Sequence, residues 1–183
     1  MINQCPECDR GHLKATLLPE HTLDLGGIVV SLKNAVRVYR CDECGREETE
    51  TPDLRGLTRT VAVVRALIPQ QLSGGDIRFM RKALDMSQTA FAEAMELTPE
   101  TVSRLENDVR GAGGMTEKLV RHNVCALLHD KVPAVNYDPA MITRMRIQPA
   151  GSDELAPLLL ERVVLKRTDH VREDAWDYLA QAA

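Results

Sequence analysis

Between His12 and Arg40 the apolar positions fall in short β-prone runs, His12 to Leu18, Thr22 to Leu25, Ile28 to Leu32 and Ala35 to Arg40. Gly26-Gly27 separates two of them with the residues a hairpin turn needs. A small antiparallel sheet is expected over residues 1–50. After Glu50 the period changes. Leu54, Leu57, Val61, Val64 and Ile68 recur at three-four-three-four spacing, Thr51 suits an N-cap, Pro52 a first helical position, and Pro69 follows the end. A linking helix over 51–70 is the simple reading. Its stripe has two outlets, a neighbouring domain or a second copy of itself, and the general habit of such stripes favours the intrachain core.

The pattern stays helical over 71–135. Ser73 with Asp76 three residues on is close to a capping box, ahead of Ile77, Met80 and Leu84. Ser87 and Thr98 read as the next N-caps, the second followed by Pro99, which gives short helices from about Gln88 to Met95 and Pro99 to Asn107. Thr116 to Asp130 supplies a longer one. Over 136–183 the runs Ile142 to Gln148 and Pro157 to Arg167 are strand-compatible on either side of Pro149-Ala150-Gly151-Ser152, and a final helix is expected near Val171 to Ala180. Leu158-Leu159-Leu160 and Val163-Val164-Leu165 are too apolar to lie in water, so this extension completes a core or serves dimerisation or a partner contact. The fold class is therefore α+β: a β module, a linking helix, an all-α bundle and a C-terminal β/α extension.

Composition sharpens this. Aromatic residues make up only 3% of the 183, which disfavours a single-strand binder that stacks bases. The net charge of -4 argues against indiscriminate nucleic-acid binding, so any DNA contact rests on a local surface. The start, Met1 to Cys5, has no basic segment leading into an apolar one, and no apolar run is long enough to span a bilayer; a cytoplasmic, soluble protein with no membrane partner is expected.

A module of about 50 residues buries too little surface to be secure without a staple. The cysteines provide it. Cys5-Pro6-Glu7-Cys8 and Cys41-Asp42-Glu43-Cys44 are two C-x2-C turns brought together by the sheet, and four thiolates complete a tetrahedral shell suited to Zn2+ at about 2.3 Å. Gly45 after the second pair helps the turn. A redox dithiol is the competing reading of a lone C-x-x-C, but two matched pairs favour one zinc per chain bound by Cys5, Cys8, Cys41 and Cys44. A filled shell has no open position, so the zinc is structural. His12 and His21 are read as ordinary sheet residues and Cys125 as a buried thiol. The module and the bundle are expected to have separate cores.

The stretch from Ile77 to Asn107 closely resembles the Xre group of phage-repressor-like DNA-binding domains. Phe91, Ala92, Met95, Val102 and Leu105 fall at inward positions, leaving Glu100, Ser103, Arg104 and Asn107 outward. In that group the second of the two short helices enters the major groove. The resemblance thus assigns Gln88, Thr98, Glu100, Thr101, Ser103, Arg104 and Asn107 to double-stranded DNA. Arg104 is the foremost of these, as a two-pronged donor to guanine, while Glu100 can only accept. It also implies an ion pair between Arg81 and Glu106. Glu96 and Asp108 stand where the group has glycine. Between Asp76 and Arg121 basic residues do not outnumber acidic ones, so affinity should lean on dimerisation and helix N-termini as well.

The order of cysteine module, linking helix and Xre-type domain resembles the MqsA-type antitoxins with their YgiT-type zinc finger, over residues 1 to about 135. Asp9 replaces the glycine of the first knuckle, and the extension lies outside the plan. The resemblance implies a homodimeric repressor of a palindromic operator in its own promoter and a co-encoded toxin as partner. The alternative is a stand-alone Xre-type regulator with a different protein partner. An enzyme is not expected, since no Ser/His/Asp set, phosphate-binding glycine loop or open histidine-rich metal site is evident.

Overall fold

A computed structural model of the chain describes residues 4–149, 155–166 and 172–179. The elements follow in the order β1 (Leu13–Leu17), β2 (Glu20–Asp24), β3 (Val29–Lys33), β4 (Arg37–Cys41), β5 (Glu47–Glu50), α1 (Leu54–Leu67), α2 (Gly74–Ala83), α3 (Gln88–Ala94), α4 (Pro99–Glu106), α5 (Gly114–Leu128), α6 (Ala140–Arg144), β6 (Leu158–Lys166) and β7 (Arg172–Tyr178). The α+β class holds, with strands and a cysteine cluster first, helices in the middle and strands again at the end.

The β-prone runs do not form one sheet. β1, β4 and β5 make a three-stranded sheet in the order β1-β4-β5, whereas β2 and β3 join the C-terminal strands in the order β2-β3-β6-β7. The Gly26-Gly27 turn closes the β2–β3 hairpin, with both glycines at positive φ. β3 is central to its sheet. Val30, Ser31 and Leu32 are all buried, as expected of a strand covered on both faces. Its second neighbour is the parallel strand β6, with Val30 opposite Leu158 and Leu32 opposite Leu160. The apolar triplet of the extension therefore completes a core.

Two local expectations for the extension fail. Over Ile142 to Gln148 the chain forms the short helix α6 and then a single bridge from Gln148 to Gln70. The Asp138 carboxylate accepts from the Ala140 N–H at 2.9 Å and starts the turn, and Ile142 and Met145 are buried. The helix expected over Val171 to Ala180 is strand β7 over its described part, hydrogen-bonded along β6; Val171 and Ala180 lie outside the described residues, as do Ala150 to Ser152 and Arg167. Trp176 decides this. Its ring is buried, its Nε1 donates to the Asp53 carbonyl at 3.2 Å, and the Arg162 guanidinium lies 5.2 Å from the ring centroid.

α1 is the axle. Every residue from Thr60 to Ala66 is buried, and the helix packs against α2, α5 and β7, so the stripe serves an intrachain core. Its cap is Asp53, at φ 42 and accepting from the Gly56 N–H, rather than Thr51. One apolar cluster runs from Ile28, Val30 and Leu32 through α1 to Phe79, Met80, Leu128 and Trp176. The second sheet and the helical bundle thus share a core, contrary to the separate cores expected. At the α1–α5–α2 junction lie two buried ion pairs, Arg65–Asp76 at 2.9 Å and Arg121–Glu117 at 2.6 Å. Among the described residues no helix is long and apolar enough to cross a membrane.

Candidate metal centre and nucleic-acid interface

β1 and β4 pair with Leu13 opposite Cys41, which sets the two C-x2-C turns side by side at one end of the first sheet. The backbone shapes each turn. Asp9 N–H donates to the Cys5 carbonyl at 3.0 Å and Gly45 N–H to the Cys41 carbonyl at 3.2 Å. Asp9, in the place of a glycine, takes φ 52, and Gly45 takes φ 72. Gly11 is obligatory for a different reason: a Cβ there would sit 2.5 Å from the Cys41 sulfur.

The four sulfurs lie within 4.8 Å of one another. Cys5 and Cys44 are 3.7 Å apart, and Cys8 and Cys41 3.8 Å. A tetrahedron with metal–sulfur bonds of about 2.3 Å has edges of about 3.8 Å. The cluster is therefore compatible with a metal ion. Neither His12 nor His21 joins it. N–H groups of Arg10 and Gly11 hold the Cys8 thiol down at about 6. Cys44 is pushed up to about 12: the Arg46 N–H favours its thiolate, but Cys41 and burial outweigh it. A cation that takes all four thiolates displaces protons, so its affinity rises with pH.

The helical site is built from its caps. Ser73 accepts from Asp76 N–H while Asp76 accepts from Ser73 N–H, a complete capping box; Ser87 and Thr98 cap α3 and α4 through the N–H groups of Ala90 and Thr101. Phe91, Ala92, Met95, Val102 and Leu105 are buried where the two short helices cross. α2 meets the end of α4 closely. A Cβ on Gly74 would collide with the Leu105 and Glu106 carbonyls, and Gly74 N–H donates to Asp108 Oδ1 at 2.6 Å. Asp108 sits at φ 53, and this bond offsets a strain of about 1 kcal/mol for a non-glycine residue. Glu96 also takes a positive φ, 52, so both glycine-like turns keep their geometry.

Arg81 and Glu106 form the expected pair. Arg81 Nε donates to Glu106 at 2.5 Å and NH2 at 3.1 Å, and the carboxylate is 2% exposed. Burial works against the charge on Glu106, but Arg81 and Gln88 hold its pKa below the usual carboxylate range. Arg81→Met alone should destabilise the fold by about 3 kcal/mol because it leaves a buried carboxylate with only Gln88 and the more distant Arg78, 3.8 Å away, while adding Glu106→Leu should recover much of the loss. Thermal melts of the single and double variants check this; strict additivity would mean the pair contributes no coupling.

The residues assigned to DNA separate into two groups. Glu100 and Arg104 are exposed on α4, and among the described residues the Arg104 guanidinium has no intramolecular partner. Thr98 and Thr101 share a hydroxyl–hydroxyl bond of 3.0 Å at the start of α4, and Ser103 is half-buried. Gln88 is half-buried, and Asn107, although exposed, has its side chain engaged within the fold. Gln88 donates to Glu106 at 2.8 Å, and Asn107 donates to the Ser103 carbonyl and accepts from Arg78, each at 2.8 Å. Arg78 and Asp108, which tie α2 to the end of α4, carried no spacing signal of their own.

No curated protein matches the chain. Residues 77–114, from within α2 to the first residue of α5, match the helix-turn-helix family and form an Xre-type helix-turn-helix domain, the DNA-binding part of a transcriptional regulator.

Proposed function

We propose that this chain is a sequence-specific, homodimeric repressor that binds a palindromic operator in its own promoter and works in the cytoplasm as the antitoxin of a toxin-antitoxin pair. Arg104 carries the reading. Its guanidinium, without an intramolecular partner among the described residues, projects from a helix whose inner face is packed and whose end is pinned by the Arg81–Glu106 pair. A bidentate donor held this way suits a guanine edge in the major groove. Glu100, Ser103, Thr98 and Thr101 complete the contact surface, while Gln88 and Asn107 divide their side chains between DNA and the fold. The cysteine cluster holds one structural zinc; with all four positions filled it stiffens the module and supplies no chemistry. Reduced thiols suit that compartment.

Arg104→Ala should cost roughly 1–3 kcal/mol on the operator and relax the preference for one guanine. Anisotropy titrations at fixed salt on operator and scrambled DNA decide it, since equal weakening on both would assign Arg104 to the phosphate backbone.

A second reading has its own support. The extension builds two strands of the four-stranded sheet, an element that a module-helix-bundle antitoxin plan does not include. A stand-alone regulator with another protein partner accommodates it equally. Identifying what co-purifies from the native cells separates the two.

A further inference from the structure

α2, α3 and α4 end alike. In each, the second residue past the cap reaches back to a carbonyl in the last turn: Met86 N–H donates to the Arg81 carbonyl at 3.2 Å, Leu97 N–H to Ala92 at 2.8 Å and Val109 N–H to Arg104 at 3.0 Å. The residue between must take a left-handed backbone, which favours glycine. This chain places Asp85, Glu96 and Asp108 there, at φ 59, 52 and 53. An acidic residue is doubly disfavoured at such a turn, by its Cβ and by the negative end of the helix.

Two of the three carboxylates are tied to another helix. Asp85 accepts from Arg55 at 2.9 Å and from Arg59 at 3.0 Å, both on α1. Asp108 accepts from the Gly74 N–H at 2.6 Å, in the first turn of α2, where N–H groups lack partners within the helix and a negative charge is favoured. Glu96 is exposed and has no side-chain partner among the described residues. The tie at Asp108 acts on the turn that carries Arg104, because the adjoining Val109 N–H closes on the Arg104 carbonyl itself. Arg78, also on α2, holds the same end through the Glu106 carbonyl and Asn107 Oδ1.

We propose that Asp108 is a positioning residue for DNA reading: its carboxylate fixes the angle of α4 on α2, and so aims Arg104, through a bond that also offsets the strain of its own turn. Asp85 fixes the end of α2 on α1 in the same way, so the reading helix is referred in two steps to the central helix of the fold. Glu96 has the strain without the tie and serves as a built-in control. The proposal rests on the DNA-reading role of α4 and names what orients it. With the tie removed, DNA must impose the angle itself, and the cost of that ordering weakens the preferred complex.

Thermal melts and anisotropy titrations of the full chain at fixed salt test it, using a duplex that the native chain selects from a random pool and a scrambled duplex of the same composition. Asp108→Gly should melt near the native temperature, since glycine relieves the turn as the bond is lost. It should nevertheless lower the ratio of the two affinities by about tenfold, the equivalent of one hydrogen bond to a charged group. Asp108→Asn loses the same charge but keeps an acceptor oxygen and tolerates the left-handed backbone, so it should hold most of the ratio. Glu96→Gly should raise the melting temperature and leave the ratio unchanged. If Asp108→Gly keeps the native ratio or melts well below the native chain, or if Asp108→Asn loses as much preference as Asp108→Gly, the positioning role is overturned and DNA reading by α4 stands. A native chain that selects no sequence overturns that reading and this proposal with it.

Discussion

Cys41→Ser is expected to abolish metal binding and to unfold β1, β4 and β5 while the second sheet and the helices stay folded. The reason lies in where the apolar contacts are. Every residue of β5 and all of β1 except Leu13 are exposed, and Leu17 is 51% exposed, so that sheet has almost no core of its own. β3, by contrast, joins the continuous cluster that includes α1 and Trp176. The staple must come from the cysteines. Structural zinc in small modules is worth about 10–16 kcal/mol of binding free energy, enough to decide whether a strand set without a core folds. Hydrogen exchange read by mass spectrometry, beside elemental analysis, gives the answer. Protection lost in β1, β4 and β5 but kept in β3 and α1 is the expected result; metal retained by the variant, or protection lost throughout, would sink the idea.

Arg121→Met should be the most damaging single change in the interior. Its guanidinium is fully buried and donates to the carbonyls of Ala66 at 2.8 Å and of Ile68 and Gln70 at 2.6 Å, and also to Glu117. It thereby satisfies the orphan carbonyls at the end of α1. Glu117 in turn accepts from the Leu72 N–H at 3.0 Å, ahead of α2. Burial pulls the Arg121 pKa down and Glu117 opposes it. Removing the cation strands a buried carboxylate and several carbonyls, a loss of about 3–5 kcal/mol, against a total stability of about 5–15 kcal/mol for a typical domain. Removing Glu117 as well should restore only part of it, since the carbonyls stay unpaired. Urea denaturation measures the difference, and a loss below about 1 kcal/mol for Arg121→Met would mean that solvent reaches the hub.

Much of the candidate site was legible because its signals are local. Ser73, Ser87 and Thr98 cap the helices at which their spacing points, and the paired C-x2-C turns do converge. The inward set Phe91, Ala92, Met95, Val102 and Leu105 is buried as the helical period requires. Caps act across three residues and periodicity across one or two turns, so neither needs knowledge of the rest of the chain. Resemblance, rather than pattern, supplied the Arg81–Glu106 pair.

Local signals in the sequence thus settled the type of each early element, the cysteine cluster, and the caps and buried faces of α2, α3 and α4. Long-range packing settled the rest: β3 takes β6 as a parallel neighbour, the stretch expected as a final helix is strand β7, and Gln88 reaches the buried Glu106 while Asn107 pairs with Arg78 at the surface. A β-prone run carries its alternation but not the identity of its partner, and residues near 175 acquire a strand conformation only because β6 offers an open edge and α1 a surface for Trp176. Buried pairs such as Arg65–Asp76 and Arg121–Glu117 are equally silent in sequence. A charged residue at helical spacing looks solvated until the packing of distant elements removes the water around it.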